Sequence, residues 1–315
     1  MTDYSLPPQP QSGLSLPLQP ALLPSPLQAV SHPLLNAHDV QLWCKRDDLI
    51  HPAISGNKWR KLKYHLRYAG EQGKRHLLSF GGAYSNHIHA LAAAGCQSGL
   101  RTTGIIRGEP ESVSNTTLSA AKGWGMDLIF VDRQHYRRRQ DPVWLAQFED
   151  EETLIVPEGG SSPLAIPGVA ELIDEVPFSP DLWVLPCASG GTLAGLIAGK
   201  RDPEQILAIA VLKGGSFIAD EVRRLHPAAA DTPGWRIALD HHDGGYAKFT
   251  PALWQWVRSF SAETGLPLEP IYSGKAMWGL FRELAAGRIP RGSKIVFIHT
   301  GGMQGLAGLR EQGRL

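Results

Sequence analysis

Cysteine is scarce in this sequence: Cys44, Cys96 and Cys187 are three in 315 residues, far apart, with no CxxC pair and no metal-like spacing. That excludes a disulfide framework and leaves reduced, partly buried thiols, as in a cytoplasmic protein. An excess of charge of one sign is lacking too. Lys and Arg number 31 against 30 Asp and Glu, a net +1 at pH 7. This balance offers no field for nucleic acid or an anionic membrane and leaves a small molecule as the expected partner. No apolar run approaches the roughly 20 residues of a membrane-spanning helix. The N-terminus has neither the charged start nor the continuous apolar stretch of a secretory signal. A soluble protein is expected.

What is present is an ordinary globular composition, 43% hydrophobic and 19% charged, in a chain long enough for one large α/β domain or two unequal lobes. Residues 1–27 carry seven prolines, from Pro7 to Pro26, and read as an extended arm. From Val40 onward short apolar strands alternate with helices. Strands are expected at Val40–Lys45, His76–Phe80, Thr102–Ile106, Asp127–Val131, Leu182–Leu185, Leu207–Val211 and Lys294–Ile298. Helices are expected at Asn57–Tyr68, Ser85–Ala94, Asn115–Trp124, from Thr192, and at Ile218–Leu225, with a charged, mostly helical stretch over Arg133–Glu152. Repeated β–α units imply parallel sheets covered by helices on both faces, and the break near Pro157–Pro167 implies two lobes.

Ligands of such sheets bind beyond the C-terminal ends of the strands. Three glycine-rich turns fall there: Gly81-Gly82-Ala83-Tyr84-Ser85-Asn86-His87, Ala188-Ser189-Gly190-Gly191-Thr192, and His299-Thr300-Gly301-Gly302. In the second, backbone N–H groups and the hydroxyls of Ser189 and Thr192 would converge on an anion at a helix N-terminus. Replacing Gly190 with a bulky residue is expected to cost anion affinity rather than folding. No GKT or GKS closes this turn, which excludes a Walker A loop, and the spacing is not that of a dinucleotide fingerprint. A phosphate held without Mg²⁺ or a P-loop lysine points to a phosphorylated cofactor. If it is pyridoxal 5′-phosphate (PLP), one lysine must form the Schiff base. Lys58, after Ser55-Gly56-Asn57 at a helix start, is the best placed. Read alone, it is outweighed by the plainer alternative that Lys58, Arg60, Lys61 and Lys63 form a solvated helix face.

The strings Lys45-Arg46-Asp47-Asp48-Leu49 and Ser55-Gly56-Asn57-Lys58-Trp59-Arg60-Lys61-Leu62 closely resemble the 1-aminocyclopropane-1-carboxylate (ACC) deaminase and D-cysteine desulfhydrase family. The likeness continues through Gly81–His87, Pro157-Glu158-Gly159-Gly160, Ser189–Gly195, Tyr272-Ser273-Gly274-Lys275-Ala276-Met277 and His299–Gly302, in the family's order over residues 40–310. It implies a two-lobed α/β fold of the tryptophan synthase β type. Residues 1–60 and 160–315 would form a large PLP-binding domain and 61–159 a small one, with PLP in the cleft.

Residue by residue, the resemblance makes Lys58 the PLP-bearing lysine that also moves the α-proton. Asn86 would bond the cofactor's 3′-oxygen, Ser85 would lie by the substrate carboxylate, and Ser189, Gly190, Gly191 and Thr192 would hold the phosphate. Tyr246 and Tyr272 correspond to two active-site tyrosines. ACC deaminases follow that second tyrosine with a glutamate facing the pyridine nitrogen; here the position is Ser273, and Ser273 or Thr300 would supply a hydroxyl. Without the carboxylate the ring is a weaker electron sink. The expected reaction is therefore α,β-elimination from D-cysteine to pyruvate, ammonia and hydrogen sulfide. The alternatives are ACC deamination to 2-oxobutanoate and ammonia, and a non-catalytic PLP-binding or metabolite-sensing protein. A cytoplasmic homodimer acting on a small amino acid is implied. No metal is expected: His87 and His89 point to different helix faces, and His241-His242-Asp243 lacks an obvious fourth ligand. Arg137, Arg138 and Arg139 read as a solvated face, and Trp254-Gln255-Trp256 as core or interface.

Overall fold

The computed structural model of the chain describes residues 22–315, so most of the arm expected over residues 1–27 lies outside the described residues. Among the described residues the strands are β1 (Leu27–Val30), β2 (Gln41–Lys45), β3 (His76–Gly82), β4 (Arg101–Arg107), β5 (Met126–Val131), β6 (Thr153–Ile155), β7 (Leu182–Cys187), β8 (Gln205–Ala210), β9 (Trp235–Ala238) and β10 (Lys294–Ile298). They form a four-stranded sheet, β5-β4-β3-β6, and a six-stranded sheet, β1-β2-β10-β7-β8-β9. All pairs are parallel except the edge pair β1–β2.

The described chain divides into two compact units. One comprises residues 51–165 and 304–315 and contains the four-stranded sheet; the other comprises 22–50 and 166–303 and contains the six-stranded sheet. The expected boundaries at 60 and 160 grouped residues 51–60 and the C-terminus with the six-stranded sheet. Local packing accounts for the difference at the C-terminus. A Cβ on Gly308 of the helix Gly305–Glu311 would lie 2.4 Å from the Tyr84 ring, and the Glu311 carboxylate accepts the Thr116 N–H at 3.1 Å.

Parallel strands covered on both faces read as continuous apolar runs, and β8 and β10 do so: every residue after the first is buried. The helix Gly191–Gly199 is buried along 191–197. Its Gly195 packs so closely on the helix Ala165–Asp174 that a Cβ there would lie 2.4 Å from Val169 Cβ. In the other unit, Ser85 caps the helix Asn86–Ser98 and Gly99 ends it in a left-handed conformation, φ +66°.

The stretch Arg133–Glu152 is less helical than its charge pattern implies. It breaks into Arg133–Arg137 and Pro142–Leu145, because Asp132 and Asp141 each cap a new start and Pro142 cannot continue a helix. The motif Lys45–Leu49 is structural. The buried Lys45 amine bonds Glu175 Oε2 and the Ser25 carbonyl, each at 2.6 Å. Asp47 accepts the Ser25 hydroxyl at 2.7 Å, and Arg46 grips Asp48 with two hydrogen bonds. The tryptophan-rich helix Pro251–Thr264 buries Leu253, Val257 and Phe260, and half-buried Trp254 and Trp256 pack against the same core, Trp256 stacking on Phe260 with centroids 5.0 Å apart.

Candidate active site

The expected site residues fall in two sets, one in each unit. In the unit of residues 51–165, the helix Asn57–Glu71 starts from Gly56 at φ 66°, ψ −144°, a backbone region open essentially to glycine alone. Lys58 follows on its first turn. Its Nζ donates to the Gly159 carbonyl at 3.2 Å, and Lys61 Nζ reaches the same oxygen at 3.3 Å and Ser161 Oγ at 3.1 Å. The receiving turn needs its glycines: Gly159 and Gly160 are both left-handed, with φ +71° and +68°. Lys58 as a residue is half-buried, but its amine end is enclosed by protein. Burial lowers its pKa to about 8, against the upward pull of the Glu158 carboxylate. The solvated-face alternative does not hold. Arg60 and Lys61 are 0% and 1% exposed.

Ser85 and Asn86 lie at the end of β3. Gly81 lets that turn fold back, since a Cβ would sit 2.7 Å from Ser85 Oγ. Ser85 accepts the Ile88 N–H at 3.3 Å, which fixes Asn86 in the first helical turn. Below them Ser79 donates to the Val156 carbonyl and so accepts from His87 Nε2. Burial, then the nearby Lys58 and Lys61 amines, hold the His87 pKa far below its usual value, and its Nδ1 is buried without a hydrogen-bond partner. Arg139 is not merely solvated. It pairs with Glu158 at 2.6 Å, and Tyr136 donates to the same carboxylate at 2.6 Å.

In the other unit, β7 and β10 are parallel neighbours, so the turns at 188–190 and 299–302 leave the sheet side by side. Gly190 takes φ +74°, and no side chain caps the helix Gly191–Gly199 that follows it. A Cβ on Gly190 would press on Val222 Cγ2 at 3.2 Å, so substitution is expected to cost folding, which the sequence alone did not suggest. At the second turn, buried His299 accepts the Gly301 N–H at Nδ1 and donates from Nε2 to the Pro267 carbonyl, which shapes the loop holding Thr300.

Tyr246 and Tyr272 do meet. Their hydroxyls are 2.8 Å apart and their rings are edge-on. Ser273 is spent elsewhere. It is wholly buried; its Oγ accepts the Glu269 N–H at 3.1 Å and donates to Glu269 Oε1 at 3.0 Å. Glu269, missed in the sequence, also accepts the N–H groups of Ile271, Tyr272 and Ser273 at 2.6–2.9 Å and so fixes the start of the helix Ser273–Ala285. Two of the triplet after β9 are likewise committed: His241 pairs with Glu283 at 2.8 Å, and Asp243 accepts the Thr250 N–H at 2.6 Å. A cavity of about 450 Å³ in this unit opens at the opposite, N-terminal ends of the strands, near Asp181, Gln205 and Trp235, away from these turns.

Residues 18–301 match the model of the family described as pyridoxal-phosphate dependent enzyme. A putative ACC deaminase of Pyrococcus horikoshii is 30% identical over 280 residues, 84% of this chain and 85% of the relative. The bifunctional D-cysteine desulfhydrase/ACC deaminase, mitochondrial, of Arabidopsis thaliana is 30% identical over 91% of this chain and 78% of its own. The chain belongs to the PLP-dependent ACC deaminase and D-cysteine desulfhydrase family. A D-cysteine desulfhydrase of Salmonella newport is 28% identical over 84% of this chain and 88% of the relative.

The crystal structure of an ACC deaminase homologue superposes with a TM-score of 0.79 at 27% identity, covering 91% of this chain and 92% of that one. A threonine deaminase from Solanum lycopersicum, at TM-score 0.63 and 15% identity over 91% of this chain and 82% of that one, shares the fold. The fold is α/β of the tryptophan synthase β type, and the chain is a PLP-dependent enzyme. Its residues fit that cofactor. Lys58 offers an amine partly unprotonated near neutral pH, whereas buried Lys275 is bound to two carbonyls, and the glycine-led N-terminus of the helix Gly191–Gly199 has the chemistry that suits a phosphate. No helix among the described residues is long and apolar enough to cross a membrane.

Proposed function

We propose that this enzyme converts D-cysteine and water to pyruvate, ammonia and hydrogen sulfide by α,β-elimination. The observation that carries the reading is the start of the helix Ser273–Ala285. Ser273 stands where ACC deaminases carry a ring-facing glutamate, and the adjacent carboxylate, Glu269, is saturated by N–H groups of residues 271–273. Bound PLP supplies an electron sink for the carbanion at Cα. With no carboxylate to keep its ring nitrogen protonated, that sink is moderate. It suffices for hydrosulfide, a good leaving group, and is poor for opening a cyclopropane.

In this reading Lys58 carries the cofactor and moves the α-proton, Asn86 bonds the ring's 3′-oxygen, and Ser85 orients the substrate carboxylate. Residues 189–192 hold the phosphate. Since Ser273 Oγ is engaged with Glu269, Thr300 supplies the hydroxyl to the ring nitrogen. Tyr246 and Tyr272 share one hydroxyl hydrogen bond, so a proton given up by one is readily replaced from the other. Family resemblance further suggests a cytoplasmic homodimer; light scattering of the purified protein checks the dimer.

A second reading, ACC deamination, is favoured by the names of several relatives of comparable identity. Turnover assays separate the two. Purified protein with PLP should release pyruvate and sulfide from D-cysteine and negligible 2-oxobutanoate from ACC. Faster turnover of ACC than of D-cysteine would sink the argument from position 273.

A further inference from the structure

Tyr246 sits on a segment of unusual backbone. Asp243, Gly244, Gly245 and Ala247 all have positive φ, at +46°, +89°, +111° and +55°. Two of the four are residues with a Cβ, which ordinarily avoid that region. Its own turns are closed by the Gly245 N–H on the His242 carbonyl and the Lys248 N–H on the Gly245 carbonyl, each at 3.1 Å, and the helix Ser273–Ala285 braces it from outside along one stripe, at positions 275, 279 and 283. At 283 the Glu283 carboxylate takes His241 Nε2 at 2.8 Å. At 279 a glycine lets the segment close in, since a Cβ would lie 3.1 Å from His241 Cβ. At 275 the Lys275 amine, 0% exposed, donates to the Gly245 carbonyl at 2.6 Å and to the Val211 carbonyl at 3.2 Å.

Gly245 immediately precedes Tyr246, and the same helix begins just after Tyr272. One helix therefore holds both phenols of the hydroxyl pair. Burying an ammonium costs free energy that an apolar side chain of the same length would not, so filling space does not explain a lysine here. A donor long enough to reach two carbonyls does.

We propose that Lys275 is a positioning residue: its buried amine clamps the Gly245 carbonyl against the end of β8, and so sets the Tyr246 hydroxyl on that of Tyr272. The inference rests on the reading that these tyrosines serve the reaction, but its first test needs no activity. In cofactor-free protein, Lys275→Met should raise amide hydrogen exchange over residues 243–248 by roughly tenfold or more, with the strands of the six-stranded sheet unchanged. In the PLP-loaded enzyme the same variant should keep its cofactor content and lose kcat, by on the order of tens of fold for a misplaced hydroxyl. The double variant with Tyr246→Phe should then turn over within about twofold of Tyr246→Phe alone, because both changes remove one device.

Unchanged exchange at 243–248 overturns the proposal, as do additive losses in the double variant. If the unmodified enzyme leaves D-cysteine untouched, the substrate reading fails while the exchange result still decides this one. Should Lys275→Met not fold, Lys275→Gln, whose donor falls short of the carbonyl, is read in the same way: faster exchange supports the clamp and parent-like exchange refutes it.

Discussion

Lys58 shows how little a residue's neighbours in sequence say about its chemistry. Arg60, Lys61 and Lys63 surround it in the chain, yet Arg60 and Lys61 turn inward and the Gly159 carbonyl holds its amine. Burial lowers the pKa to about 8 from the ordinary 10.5. At pH 7.5 roughly a quarter of such amines are unprotonated, against about one in a thousand for an ordinary lysine. The direction is fixed: raising pH through 8 should increase the reactivity of Lys58 towards acylation in cofactor-free protein and then level it off. Competitive acetylation read by mass spectrometry checks this, and a midpoint near 10.5 would contradict it. Only the family resemblance of the surrounding strings singled out Lys58; the enclosure of its amine shows in the fold alone. Glu269 and Lys275 were not legible, because a buried carboxylate or amine shows its role only through the N–H or C=O groups around it.

Elements were legible where one period dominated. The apolar runs of β3, β7 and β10 announce parallel strands, and glycine-rich turns follow all three. The helix Ser273–Ala285 was harder to read, since its start depends on Glu269 four residues upstream and its inward stripe is a lysine, a glycine and a glutamate. Gly190 carries two demands in one position: a left-handed φ that caps the helix Gly191–Gly199, and clearance from Val222. Gly190→Ala should therefore lower stability by about 1–2 kcal/mol through the backbone alone, and weaken PLP binding besides. Urea unfolding of the cofactor-free protein measures the first effect. A midpoint equal to that of the parent would show that the turn relaxes at no cost.

At the scale of the whole molecule the two units differ in how they meet acid. Burial depresses the pKa of His51, His65, His76, His87 and His89, and all five lie in residues 51–165. For His65 and His89 it falls to about 4. His65 is locked by the Lys61 carbonyl and the Ser162 hydroxyl, and His89 by the Ala53 carbonyl. A histidine kept neutral in the fold gives up nothing above its unfolded pKa near 6.5. As pH falls below that, the unfolded chain binds protons that the folded one refuses, so stability declines until the folded pKa is reached. At pH 5 the loss is roughly 2 kcal/mol for each of His65 and His89. Opening between pH 7 and pH 5 should therefore concentrate in residues 51–165. In the other unit, the Glu283 carboxylate is held down to about 2 although burial opposes it, by hydrogen bonds from Arg288, His241 and Arg236, so it stays charged. Brief digestion at both pH values with an acid-tolerant protease, with cut sites mapped, should find the new cuts at pH 5 within 51–165. New cuts appearing first within 166–303 would mean that the buried histidines do not set the acid limit of this fold.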